Sequence, residues 1–110
     1  MSHEQHQSMI NAMYDCVTEC NHCTSACLEE QDVQALAKCI KLNMDCVEIC
    51  TLIAGYAARG SAHTMHLMEE CAEICDACAV ECEKFADQYA HCKKCAEVCR
   101  ACAEECRTMA

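Results

Sequence analysis

Apolar positions recur every three or four residues along nearly the whole chain, and the positions between them are filled largely by Glu, Lys, Gln, Asn and Asp. That spacing keeps one face of an α-helix apolar, whereas a half-buried strand would alternate at every second residue. Proline is absent and the only glycines are Gly55 and Gly60, so little punctuates the chain into the tight turns of a hairpin-rich β fold. The pattern predicts four helices over about 4–28, 33–59, 62–86 and 88–108, with boundaries good to about two to four residues. Asp32, Ser61 and Asp87 are the expected N-caps, and Gly60 suits the left-handed position that follows a helix. Short connections and one apolar stripe per helix predict an all-α, up-down-up-down four-helix bundle. A length of 110 residues makes 1–110 a single domain.

The residue that makes up the stripes changes the picture. Cys16, Cys20, Cys23 and Cys27 step by 4, 3, 4, and so do Cys71, Cys75, Cys78 and Cys82, and Cys95, Cys99, Cys102 and Cys106, the last set preceded by Cys92. In the second helix Cys39, Cys46 and Cys50 hold the same register, and Asn43 occupies the vacant slot. At about 100° per residue these steps confine the thiols to one narrow stripe per helix. Residues 71–82 and 95–106 are also near repeats of one another, so both halves of the last helical hairpin solve the same problem.

Composition sharpens this reading. Cysteine supplies 16 of 110 residues, well above the roughly 8–10% at which a thiol-specific explanation becomes necessary. Leu, Ile and Val contribute only five each and Phe one, with a net charge of −10. A chain so poor in large apolar side chains and so acidic would ordinarily be disordered, unless the cysteines themselves are its core. The eight scattered Lys and Arg form no basic stripe for nucleic acid. No segment reaches the roughly 18–20 apolar residues of a membrane span. The N-terminal Met-Ser-His-Glu-Gln-His-Gln does not resemble a secretory signal. The expected setting is the cytoplasm, where abundant cysteines more often bind metal or do redox work than form disulfides.

Inward stripes would make the bundle axis a column of thiols roughly 17 Å long. Disulfides fit poorly, because 3 and 4 spacing within one helix does not set up bridging pairs. Iron–sulfur ligation usually draws on loops with Gly or Pro near the ligands, and none is present. Metal held by many thiolates remains, as Cu(I) or Zn(II): zinc wants closed tetrahedra of four ligands, while soft Cu(I) is selected by thiolate and by thioether. Methionines favour copper. Met9 and Met13 extend the first stripe, with His6 at its edge; Met68 extends the third, with Met65 and His63 nearby; and Met109 extends the fourth. In an up-down bundle these places share one end, which is expected to be a soft-ligand mouth. Leu36, Phe85 and Tyr89 form an apolar plug at the other. His22 and His91 are expected to be solvated, Asn43 to fill a core slot, and the glutamates to form a solvated face. No nucleophile, base or phosphate loop stands out. The alternatives are a zinc or general soft-metal sink and a thiol redox protein using exposed, low-pKa CxxC pairs.

The 4, 3, 4 stripes of the first and third helices and the stretch His91-Cys92-Lys93-Lys94-Cys95 through Cys106 resemble the bacterial copper storage proteins, a family of cysteine-rich four-helix bundles. The resemblance covers nearly the whole chain. It implies Cu(I) held by pairs of thiolates in a chain of sites and, for members without an export signal, a cytosolic homotetramer, with a copper chaperone as the class of delivery partner. Asn43 departs from the pattern where the register expects a ligand. With two thiolates per copper and two coppers per thiolate, capacity would be on the order of 16 Cu(I) ions, with no catalysis. Protonated thiols are neutral and can be buried at little cost, so the apo bundle is expected to form without metal.

Overall fold

Four helices whose inward positions carry nothing larger than a thiol over most of their length can approach one another closely, because side-chain size at the contact sets the distance between helix axes. The structure, a computed structural model, describes residues 6–109, and side chains as far as residue 108. Helices α1 (Gln7–Leu28), α2 (Ala37–Ala58), α3 (Thr64–Glu83) and α4 (Ala90–Met109) run up, down, up and down. The bundle measures 46 × 19 × 18 Å. Both α1 and α3 pack beside α2 and α4, which leaves α1 and α3 on one diagonal and α2 and α4 on the other.

The sequence-predicted helices are all present, with shifts at their ends. The expected start of the first helix near residue 4 lies outside the described residues, and α1 begins after His6. Before α2 the chain makes a 3-10 turn over Val33–Leu36, and Asp32 makes no side-chain cap bond. The tighter turn swings Leu36 inward, where it is fully buried, and seating that apolar anchor decides the geometry over the capping preference. Gly60 has φ 68°, as its place after α2 predicts. Helix α3 starts later than expected, with His63 rather than Ser61 at its N-cap position and no side-chain cap bond; Ser61 instead holds the turn before it, its Oγ accepting from the His63 backbone N–H at 3.1 Å and its carbonyl from the Thr64 hydroxyl at 2.9 Å. Helix α3 ends at Glu83, three residues short of the expectation, and Phe85, Gln88 and Tyr89 continue in turns whose amides bond back to Cys82 and Phe85. Asp87 is exposed within that turn, and α4 starts only after Tyr89.

Cysteine stripes and small residues make up most of the core, with Leu36, Ile53, Met9, Met13 and Met68 as its largest fully buried apolar side chains. Ala72 and Ala79 on α3 and Ala96 and Ala103 on α4 are buried as well. Outside, Arg100 spans α3 and α4 by bonding both carboxylate oxygens of Glu83, at 2.8 and 3.0 Å, and reaching Asp76 at 3.4 Å, while Arg107 also pairs with Asp76. Not every glutamate is solvated. Glu81 is buried and holds Lys84 at 2.9 Å and Lys38 at 3.8 Å. Val80 is half exposed.

The two glycines should respond oppositely to alanine. Gly60→Ala places a Cβ at a left-handed position and should destabilise the fold by about 1–2 kcal/mol. Gly55 lies within α2, and a Cβ there meets only the flexible Arg59 side chain at 3.4 Å, so Gly55→Ala should stabilise by about 0.5–1 kcal/mol. Urea unfolding of the reduced protein measures both.

Candidate metal centre

All sixteen cysteines are free and buried, and the thiols form the predicted column. Near its middle, the Cys16 sulfur lies 3.7 Å from those of Cys20 and Cys99, and the Cys20 sulfur 3.6 Å from those of Cys95 and Cys99. Toward the N-terminus of α1, Cys50 approaches Cys71 and Cys102 at 3.8 Å and Cys75 at 3.9 Å. In the other direction Cys39 contacts Cys82 at 3.1 Å and Cys23 contacts Cys27 at 3.8 Å. These sulfurs gather into four-thiol groups: Cys16, Cys20, Cys46 and Cys99; Cys16, Cys50, Cys75 and Cys102; Cys20, Cys78, Cys95 and Cys99; and Cys23, Cys27, Cys39 and Cys92. Within each group the sulfurs lie within 4.8 Å of one another. Cys23, Cys82 and Cys95 form a group of three. Neighbouring groups share members, so no thiol cluster stands isolated from the next. Cys106, at the end of the α4 stripe, is buried near Met68.

The two ends differ from expectation in instructive ways. Met9, Met13 and Met68 continue the column, but each is fully buried, and His6 and Thr64 are buried beside them. What the sequence presents as an open mouth is covered, because long unbranched thioethers fill the space beyond the last thiols. Met65 is exposed, and the Met109 side chain lies outside the described residues. At the other end Leu36 is buried and Phe85 and Tyr89 are partly buried against the core, as the plug requires. His22 is exposed, as expected. His91 is not solvated: its side chain is only 11% exposed, with Nε2 3.1 Å from Glu30 and Nδ1 3.4, 3.6 and 3.9 Å from the sulfurs of Cys23, Cys92 and Cys27. Its ring stacks on Tyr89 with centroids 5.3 Å apart.

Sequence reasoning missed His91 because it stands immediately before Cys92, off the thiol stripe. Its partner Glu30 comes from the connection after α1, and helical spacing carries no information about a loop. The ring therefore adds a nitrogen donor to the terminal group of thiols. Burial opposes its protonated form, yet the hydrogen bonds to Cys23 and Glu30 outweigh that and raise its pKa above the usual 6.5.

Burial holds two of the terminal thiols, Cys27 and Cys92, in their neutral form. Burial is the leading reason that the Cys27 thiol is pushed up from the usual 9.0 to about 12, and burial leads among the causes that raise Cys92. A thiolate emerging here would face low dielectric and other sulfurs, with no metal to compensate it.

A family model described as copper storage protein matches residues 2–110. The chain belongs to the copper storage protein family. Among its solved relatives, the Cu(I)-bound copper storage protein BsCsp3 superposes with a TM-score of 0.90 at 40% identity, covering 96% of this chain and 97% of that one. A cytosolic copper storage protein from Streptomyces lividans with five coppers gives a TM-score of 0.93 at 35% identity, over 97% of this chain and 92% of that one. A cysteine-rich protein of Bacillus subtilis, YhjQ, is 40% identical over 104 residues, 94% of either chain. Family membership agrees with the resemblance carried by the cysteine stripes and with the bundle they build.

A pH prediction follows from the raised thiols. A thiol whose pKa is higher in the folded state than in the unfolded chain stabilises the fold fully below its unfolded value, and the contribution is lost as pH rises through the folded one. Reduced apo-protein should be helical by circular dichroism at pH 7 and lose stability progressively from about pH 9 toward about 12. A coil spectrum at pH 7 that turns helical only on adding Cu(I) would mean that metal creates the fold.

Proposed function

We propose that the chain stores Cu(I) along its thiol column and catalyses no reaction. The sharing of thiols between successive four-thiol groups carries the reading. Closed tetrahedral zinc sites need four thiolates each, and groups that share Cys16, Cys20, Cys95 or Cys99 cannot all be closed independently. A soft, low-coordinate ion bridged by thiolates uses such sharing directly. Each arriving Cu(I) forms bonds to sulfur and displaces a thiol proton to water, so the filled core stays close to neutral. We assign the sixteen cysteines as principal ligands and Met9, Met13 and Met68 as thioether donors beyond the column's end. Like its relative from Streptomyces lividans, titled a cytosolic copper storage protein, the protein is assigned to the cytosol, and its one storage unit spans 1–110.

Titrating reduced apo-protein with Cu(I) against a chromophoric chelator should give a capacity on the order of 16 ions, about one per cysteine. Saturation at one to four equivalents would sink the storage reading, and zinc retained under excess Cu(I) in native mass spectrometry would favour the zinc sink.

We further assign the protein to a homo-oligomer, a tetramer as the family resemblance implies. Helix α2 supports this, since Met44 and Leu52 are about half exposed and Ile40, Leu42, Val47 and Ile49 are only partly covered by the chain's own bundle. An apolar flank this broad on one helix suits contact with a second copy. Light scattering at micromolar concentration should give an assembly mass, and a monomer there would refute the assignment.

A further inference from the structure

The terminal thiol group is flanked by two residues that lie off the cysteine stripes. Beside the sulfurs of Cys23, Cys27, Cys39 and Cys92, the His91 ring turns Nδ1 toward three of them, at 3.4 Å from Cys23, 3.6 Å from Cys92 and 3.9 Å from Cys27, and Nε2 toward Glu30 Oε2 at 3.1 Å. Tyr89 stacks on the ring at an interplanar angle of 18°. Glu30 comes from the turn after α1, where its backbone N–H bonds the carbonyl of Cys27 at 3.2 Å. One turn therefore fixes a carboxylate at one edge of the ring and a sulfur at the other.

Ring orientation and tautomer follow from this arrangement. An ionised carboxylate only accepts hydrogen bonds, so the ring proton that faces Glu30 sits on Nε2. A neutral ring with its proton there carries its free lone pair on Nδ1, aimed at the sulfurs. With the carboxylate removed, the proton can move to Nδ1 and donate to sulfur, which hides that lone pair. Imidazole nitrogen is an acceptable donor for copper, and a carboxylate on the far nitrogen both orients such a ring and strengthens it as a ligand.

Resting on the storage reading above, we propose that Glu30 is a positioning residue for copper: it holds His91 in the Nε2–H tautomer, so that Nδ1 and the sulfurs of Cys23, Cys27 and Cys92 present a mixed nitrogen and sulfur donor set to Cu(I) at this end of the column. The carboxylate itself does not touch the ion. Cu(I) forms bonds to Nδ1 and to sulfur, and each thiol that becomes a thiolate ligand releases its proton to water. The Nε2 proton stays in its hydrogen bond to Glu30, and no electron is transferred.

Nitrogen-15 NMR of His91 in reduced protein, in mildly alkaline solution, reads the tautomer of the neutral ring, and its Nδ1 signal reports Cu(I) at this end while a chromophoric chelator withdraws the metal. The unsubstituted protein should show the Nε2–H tautomer, with Nδ1 shifting as Cu(I) loads. Glu30→Ala should bring in the Nδ1–H tautomer and release Cu(I) from His91 at chelator concentrations about 10–100-fold lower. Glu30→Gln, whose amide oxygen accepts the same hydrogen bond, should keep the Nε2–H tautomer and lose less. An Nδ1–H ring in the unsubstituted apo-protein, or an Nδ1 signal that loading leaves unmoved, would overturn the proposal, and these two outcomes decide it even if Glu30→Ala does not fold. So would a folded Glu30→Ala protein that keeps both tautomer and affinity, or equal losses in the Gln and Ala variants, since charge rather than orientation would then be the cause. Saturation of the unsubstituted protein at one to four ions would instead refute storage itself, which keeps the two failures distinct.

Discussion

The neutrality of a buried thiol is the constraint on which this bundle depends. A protonated cysteine is a small, weakly polar group that can be packed sixteen times along one axis at little desolvation cost. The same group, once deprotonated, is a strong soft ligand. The helices can therefore close around an empty column and still present a donor at nearly every inward position. Substituting alanine would keep the packing and abolish the chemistry, and substituting carboxylates would keep metal ligation but charge the core. The raised pKa values of Cys27 and Cys92 express this constraint locally, and the long apolar flank of α2 expresses it outside, because a core of such small residues buries less apolar surface than one of leucines.

The exterior compensates in specific places. The ties from Arg100 and Arg107 to Asp76 and Glu83 bind α3 to α4, the two helices whose cysteine sequences nearly repeat and whose alanines face inward. Glu81, the one buried carboxylate among the described residues, is matched by two lysines. At the column's ends, single large groups replace the thiols: methionines at one end, and Leu36 with the His91–Tyr89 stack at the other. The thiols are thus enclosed on every side by residues with other physical tasks.

Most of this organisation was legible because it is periodic. Three cysteines in four at 4, 3, 4 spacing, the absence of proline and the single left-handed glycine are sufficient to predict four helices and an inward thiol column. What was not legible lies where periodicity stops. The 3-10 turn before α2 depends on where Leu36 finds a cavity, the early end of α3 on how Phe85 and Tyr89 turn back, and the burial of His91 on a carboxylate that a loop delivers from elsewhere in the chain. The closing of the methionine end belongs to the same class, since spacing shows which residues converge but not whether their side chains fill the space between them. Asn43 was visible as a gap in a pattern, yet only coordinates show that its oxygen faces three sulfurs, those of Cys78, Cys82 and Cys95.

The 4, 3, 4 step is also a heptad, and buried Ala72 and Ala79 on α3, like Ala96 and Ala103 on α4, recur at the same interval. Thiols and spacers therefore return to the same face after each seven-residue unit. Such a bundle can be lengthened or shortened only by whole units in all four helices together, because any other change would rotate a stripe out of register with its neighbours. Volume in this architecture is quantised along one dimension, and descendants of such a sequence would differ in capacity by steps, as a ruler differs by its divisions.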